Sequence, residues 1–182
     1  LTDKDWFIGP GCESAFIAFD PNNPVLLYGG CYQGLIDVMD TQHGHTKDIR
    51  QYPSNILAYD AKDMRYRFNW NAPVIASPHD YNTIYHGGNI LFKTTDGGLS
   101  WEEISPDLTR NEESKQGPGG APITNEGAGG ENYNTLSYVI ESIHEKGVIY
   151  TGSDCGLVHI TKDGGKTWEN ITPSVRKMLN EI

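Results

Sequence analysis

Two octads with one core constrain this chain more than anything else in it: Thr94-Thr95-Asp96-Gly97-Gly98-Leu99-Ser100-Trp101 and Thr161-Lys162-Asp163-Gly164-Gly165-Lys166-Thr167-Trp168. Both fit T-x-D-G-G-x-[ST]-W, and self-similarity at an interval is the mark of a repeat architecture. The Asp suits the tip of a hairpin, where its carboxylate accepts hydrogen bonds from N–H groups of its own turn. The glycines supply positive φ, the Ser or Thr hydroxyl bonds back across the turn, and the Trp opens an outer strand and packs on its flank. Asp96, Gly98, Trp101, Asp163, Gly165 and Trp168 are therefore read as structural. A calcium loop of the EF-hand kind would need oxygen ligands at alternate positions and a distal Glu, which neither octad has.

The repetition reaches beyond the octads. Runs at 25–30, 83–88 and 148–153 each carry a Tyr (28, 85, 150) and end in Gly-Gly or Gly-Ser. Second apolar runs follow at 35–39, 90–93 and 157–160, and earlier ones at 16–19, 74–76 and 138–140 end in Pro-, Asn- or Gly-bearing turns. Alternation and β-branched content favour strands throughout, and short outer strands near 46–49, 101–105 and 168–172 make four per unit. A four-stranded sheet joined by hairpins buries its two faces only against neighbours. The expected class is thus all-β: a β-propeller segment of about three four-stranded antiparallel blades. Closed rings need about 4–8 blades, so the remaining blades are expected from a parent protein or from other chains.

The expected blades are 1–50, with a degenerate octad at Asp40-Thr41-Gln42-His43-Gly44-His45-Thr46 that lacks the Trp, then 74–105 and 138–173. The tyrosine spacing exceeds a minimal blade of about 40–50 residues, and the excess falls in inter-blade insertions at 51–73 and 106–137. The second, with Gly117-Pro118-Gly119-Gly120 and Gly127-Ala128-Gly129-Gly130, reads as a linker, too poor in apolar surface to order itself; the sharper alternative is a partner-binding lobe. Residues 174–182 suit either a short helix or the first strand of a next blade, and the strand at 179–182 is favoured.

The octads are similar to the Asp-box, or bacterial neuraminidase repeat, S-x-D-x-G-x-T-W, shared by sialidases, two-propeller xyloglucanases and sortilin-type receptors. The chain resembles large secreted bacterial proteins of this kind, described as glycosyl hydrolase or sortilin-like repeats. The resemblance implies a propeller, a secreted, periplasmic or cell-surface location, and a box on the rim opposite the ligand-binding face. It implies no single activity.

If the first strand of each unit lines the channel, the functional face comprises the loops entering that strand and those joining the second strand to the third. The entering loops hold Gly11-Cys12-Glu13-Ser14, 65–71 and 131–135; the others hold Cys31-Tyr32-Gln33, Gly88-Asn89 and Asp154-Cys155. Tyr66, Arg67, Phe68, Asn69, Trp70 and Asn71 are the ligand-binding candidates, since aromatic faces beside amides suit sugar rings or peptide side chains; the competing reading packs them between blades. Glycoside hydrolysis needs two carboxylates about 5–9.5 Å apart, for which Glu13, Glu131 and Asp154 are weak candidates that match no catalytic motif. Sialidase chemistry is disfavoured because the inner strands contain no Arg.

The balance of 14 basic and 24 acidic residues, net −10 over 182 residues, repels phosphate backbones and so argues against nucleic acid. No run of about 18 apolar residues is present to cross a bilayer. The histidines do not cluster in a metal-ligand pattern, so no metal and no cofactor are expected. Cys12, Cys31 and Cys155 form no CxxC motif and leave room for one bridge. Two functions stay open: a non-catalytic module binding polysaccharide or a secreted protein or peptide, and a xyloglucanase-like hydrolase of β-glucans.

Overall fold

The computed structural model describes residues 1–13, 16–20, 22–53, 59–124 and 130–180. Ser14, Gly127, Ala128, Gly129 and Ile182, which figure in the expectations above, lie outside them. Among the described residues, twelve strands form three antiparallel four-stranded sheets, each in plain sequence order. The first holds β1 (Ile17–Asp20), β2 (Asn23–Gly30), β3 (Ile36–Asp40) and β4 (His45–Asp48); the second β5 (Val74–Ala76), β6 (Ile84–Gly87), β7 (Leu91–Thr94) and β8 (Glu102–Glu103); the third β9 (Leu136–Glu141), β10 (Ile149–Ser153), β11 (Val158–Thr161) and β12 (Glu169–Asn170).

One register repeats in all three. Tyr28, Tyr85 and Tyr150 pair with Ala18, Ile75 and Ile140 on the first strands, and with Val38, Lys93 and Ile160 on the third. Because side chains alternate across a strand, equivalent residues point to equivalent faces. The first strands gather, β5 lying between β1 and β9. This is the blade arrangement expected of a propeller.

The core sits between sheets. Ala18, Tyr28, Ile36 and Ile49 of the first sheet pack against Val74 and Ile84 of the second; Tyr85, Leu91, Ile104 and Leu108 of the second unit pack against Leu136, Val139 and Ile149 of the third. At about 1.5–3 kcal/mol per fully buried large apolar side chain, these interfaces are the main source of cohesion between sheets.

Both octads fold alike. Asp96 Oδ1 accepts from Ser100 N (2.9 Å) and Thr94 Oγ1 (2.8 Å), and its Oδ2 from Ser100 Oγ (2.6 Å); Asp163 repeats this with Thr167 and Thr161 at 2.9, 2.8 and 2.7 Å. The octad also reaches across to the sheet before it. Trp101 Nε1 donates to the Ile49 carbonyl at 2.6 Å and Trp168 Nε1 to the Ile104 carbonyl at 2.8 Å, each acceptor being the residue just after the preceding sheet's outer strand. The Trp is therefore a staple between neighbouring sheets. At the first, degenerate hairpin Asp40 Oδ1 accepts from Gln42 N and His43 N instead, without such a staple.

Two expectations are corrected. The second insertion is not a bare linker in its described parts: it packs on the first insertion through bridges Asp60↔Pro118 and Asn69↔Glu131, and Lys62 N donates to the Gln116 carbonyl at 3.1 Å. Gln116, Asn132 and Asn134 are buried, and hydrogen bonds to side-chain amides replace the missing apolar surface: Asn134 Oδ1 accepts from Glu112 N (2.8 Å) and Gln116 Nε2 (3.0 Å). The tail forms α1 (Thr172–Asn180) rather than the start of a strand. Pro173, lacking an N–H, is tolerated in its first turn, and Asn170 Oδ1 accepts from Thr172 N at 3.0 Å.

Candidate functional site

At one end of the sheets, the loops entering β1, β5 and β9 meet those joining the second strand of each sheet to the third. In every unit these two loops are clamped, each time by different chemistry. In the first, Cys12 and Cys31 are joined by a disulfide. In the second, Arg67 N donates to Asn89 Oδ1 (3.0 Å) and Asn89 N to the Arg67 carbonyl (2.8 Å). In the third, Thr135 N and Oγ1 donate to the Asp154 carboxylate at 3.1 and 2.9 Å, and Asp154 N donates to the Thr135 carbonyl at 3.1 Å. Cys31, Asn89 and Asp154 are thus one position of the repeat. The signal was present in the sequence: each directly follows the Gly-Gly or Gly-Ser that ends the second strand.

That equivalence decides the role of Asp154. Its carboxylate does for the third unit what an amide does for the second, although burial pushes its proton affinity up against the donors from Thr135. Glu13 is likewise engaged, accepting from the Tyr32 hydroxyl. Of the three carboxylate candidates, Glu131 and Asp154 line one cavity and Glu13 lies apart from its lining.

The aromatic run separates into core and surface. Phe68 is buried with Ala72, Ile90 and Phe92, and Tyr66 sets its ring edge-on to Phe92 (centroids 4.9 Å) while donating its hydroxyl to Glu103. Arg67 is buried, its Nη2 2.5 Å from Asp107 Oδ2. Burial acts against the Asp107 anion, but donors from Thr109, Asn89 and Arg67 hold its carboxyl below the usual range. Tyr66, Arg67 and Phe68 therefore build the second sheet's end, and the packing reading prevails for them. Trp70 is half-buried and stacks on Tyr32 (centroids 6.4 Å, planes 17° apart), while Asn69 Nδ2 donates to the Asn132 carbonyl at 3.0 Å.

Asn69 and Trp70 share a cavity of about 260 Å³ with Ile123, Thr124, Glu131, Asn132, Tyr133 and Asp154. The second insertion, which carries Ile123, Thr124 and Glu131–Tyr133, supplies most of this wall; sequence reasoning set 131–135 on the functional face but singled out only Glu131 there, and it missed Ile123 and Thr124. Asn132 is fully buried, donating from Nδ2 to the Phe68 carbonyl at 3.0 Å, and its Oδ1 finds no partner among the described residues. The Lys115 ammonium lies 5.6 Å from the Tyr133 ring centroid, the separation of a cation–π contact. Asn69 also borders a second hollow of about 440 Å³ with Phe16, Asn71 and Ser137, at the entrance to the first strands. An indole, a phenol ring, amides and two carboxylates, one of them held by the Thr135 clamp, surround a hollow that can stack on a ring or peptide group and bond its polar edge. Among the described residues no group of three or more His, Cys, Asp or Glu is disposed to hold a metal ion.

No family model matches the chain and no curated protein matches it. Solved structures do. YCF48 bound to D1 peptide superposes with a TM-score of 0.50 at 19% identity, over 87% of this chain and 40% of that one. YCF48 from Cyanidioschyzon merolae gives 0.46 at 13% identity over 87% and 37%, and the GH74 enzyme of Niastella koreensis gives 0.46 at 18% over 88% and 23%. The first supports the propeller fold at this level of identity, and this chain spans well under half the length of each of the three.

Proposed function

We propose that this chain is part of a non-catalytic β-propeller module of a secreted, periplasmic or cell-surface protein, which holds a polysaccharide or an extended peptide against the Trp70–Tyr133 hollow. The observation that carries this reading is how the carboxylates at that end are used. Asp154 is committed to the clamp with Thr135 and Glu13 to Tyr32, leaving Glu131 beside two aromatic rings and the Asn69 amide. Such a lining favours binding over acid–base hydrolysis, which needs two carboxyl groups disposed to exchange protons with substrate. The disulfide Cys12–Cys31 suits an oxidising compartment. Among the described residues no helix is long and apolar enough to cross a membrane. The neighbour YCF48 is bound to a peptide in its structure, which lends a peptide ligand some support by analogy of fold. Further sheets, from the same parent protein or another chain, complete the module.

Isothermal titration of the chain against β-glucan oligosaccharides and unstructured peptides tests this. One class binds, and Trp70→Ala weakens it by ten-fold or more, about 1.4 kcal/mol. Absence of binding to either class defeats the proposal. A hydrolase reading keeps one point in its favour, that Glu131 and Asp154 line the same hollow; it requires cleavage of a β-glucan that Glu131→Gln and Asp154→Asn both abolish.

A further inference from the structure

The two interfaces between sheets are built by equivalent residues, and a third set of the same residues stands uncovered. Tyr28 is 3% exposed and Tyr85 4%, each covered by the following sheet; Tyr150, at the same register position, is 39% exposed. Its pairing partner Ile140 is 45% exposed and Tyr138, two residues before on β9, 55%. The outer edge repeats as well. Ile49, Ile104 and Ile171 follow the fourth strands and donate from N to Ile36, Leu91 and Val158 carbonyls, all at 2.9 Å. Ile49 and Ile104 are buried under the next octad, where Gly98 and Gly165 approach them so closely that an added Cβ would lie 2.5 Å from Ile49 Cδ1 or 2.6 Å from the Ile104 oxygen. Ile171 is only partly covered. Its carbonyl accepts from Val175 N at 3.1 Å in α1, and a carbonyl oxygen can accept a second donor.

We infer that the face formed by Tyr138, Ile140, Tyr150 and Ile171 is a docking surface for a further four-stranded sheet that itself carries the Gly-Gly-x-[Ser/Thr]-Trp hairpin. The occupant's chemistry follows from the two interfaces already formed: β-branched or Leu side chains on its first two strands, as Val74 and Ile84 or Val139 and Ile149 provide, a glycine pair to clear Ile171, and an indole N–H for its carbonyl. A second copy of this chain fits less well. Its first sheet has Asp40–His45 in place of the octad, with no Trp, and both its octads are already packed on their own neighbours. This inference rests on the reading that further sheets complete the module, and concerns a different surface from the ligand hollow, so ligand titration tests the hollow separately.

The experiment appends a second copy of residues 106–173 to the C-terminus of the full chain. Ile140→Cys in the original third sheet reports cover through its rate of maleimide labelling, read by mass spectrometry. The expected result is labelling about ten-fold or more slower in the extended chain than in the unextended one, as for a site exposed only on local opening. Fast labelling returns when Trp168 of the appended copy is changed to Ala. Equal rates in two folded chains overturn the inference. So does an appended sheet that melts as a separate, earlier transition, and so does slow labelling of the unextended chain accompanied by sedimentation as a dimer, which would make a second copy the occupant.

Discussion

The octad glycines separate two roles that a sequence motif merges, and alanine substitution at each tells them apart. Gly97 and Gly98 have φ of 73° and 84°, so Ala at either accepts a left-handed conformation costing about 1–2 kcal/mol. Their surroundings differ. A Cβ at Gly97 meets only the Tyr28 hydroxyl at 3.9 Å, whereas one at Gly98 lies 2.5 Å from Ile49 Cδ1 and 2.6 Å from its Cβ. Relieving that clash means moving the octad off the preceding sheet, at the roughly 1–3 kcal/mol typical of overpacking, and weakening the Trp101–Ile49 hydrogen bond, worth about 0.5–1.5 kcal/mol. Gly98→Ala is therefore expected to cost about 2–4 kcal/mol more than Gly97→Ala, or roughly 5–15 °C in Tm for a chain of this size. Urea unfolding followed by tryptophan fluorescence, with equal m values for both variants, measures the difference. The same ordering is expected for Gly164, with nothing within 4 Å, and Gly165, against Ile104. Losses equal within about 0.5 kcal/mol, the scatter of unrelated surface changes, would show that the second glycine serves backbone conformation alone and that the stapling argument is wrong.

Asp154→Asn is expected to change stability by less than about 1 kcal/mol, because Asn89 performs the same clamp with an amide oxygen, while Asp154→Ala, stranding Thr135 N–H, costs about 1–3 kcal/mol; denaturant titration of both variants checks this. Burial alone pushes the His86 imidazole down from the ordinary 6.5 to about 3. The unfolded chain then binds a proton that the folded chain refuses, so stability falls with pH below 6.5 by about 1.4 kcal/mol per unit, and a pH series of melts should flatten above pH 4 in His86→Phe. Asp96 and Asp163 are held down to about 2, chiefly by the hydroxyls and N–H groups of Ser100 and Thr167. Their contribution is intact above the ordinary 3.8 and disappears as pH falls towards 2, which the acid limb of the same melts, repeated with Asp96→Asn, resolves. Cys12→Ser opens a link between residues 19 apart and is expected to cost about 3 kcal/mol, with reductant producing the same drop in the unsubstituted chain.

The blades were legible because their determinants are local. Alternating runs, the glycine ends of the second strands and the octad turn each act within a few residues, and the tyrosine register repeats without exception. The end where the entering loops meet was harder to read because its determinants are not local. Tyr66, Phe68 and Trp70 alternate as a strand would, and nothing in the alternation says that the first two meet Phe92 while the third meets Tyr32. The second insertion looks disordered by composition, since Asn and Gln count as polar; buried among one another's hydrogen bonds, Gln116, Asn132 and Asn134 order it instead. The clamp was readable in principle, from aligning Cys31, Asn89 and Asp154, but three residue types at one position disguise a shared geometry. At the C-terminus, apolar spacing over 175–182 admitted helix and strand alike, and Pro173 with Asn170 was the overlooked helix signal.

Hydrogen exchange of the full chain with and without whichever oligosaccharide or peptide binds it tests the central functional claim most directly. Added protection is expected at 69–70 and 131–133, with the ligand recovered intact by mass spectrometry. Protection confined to the octad rim at 96–101 and 163–168, or recovery of a cleaved ligand, would contradict it.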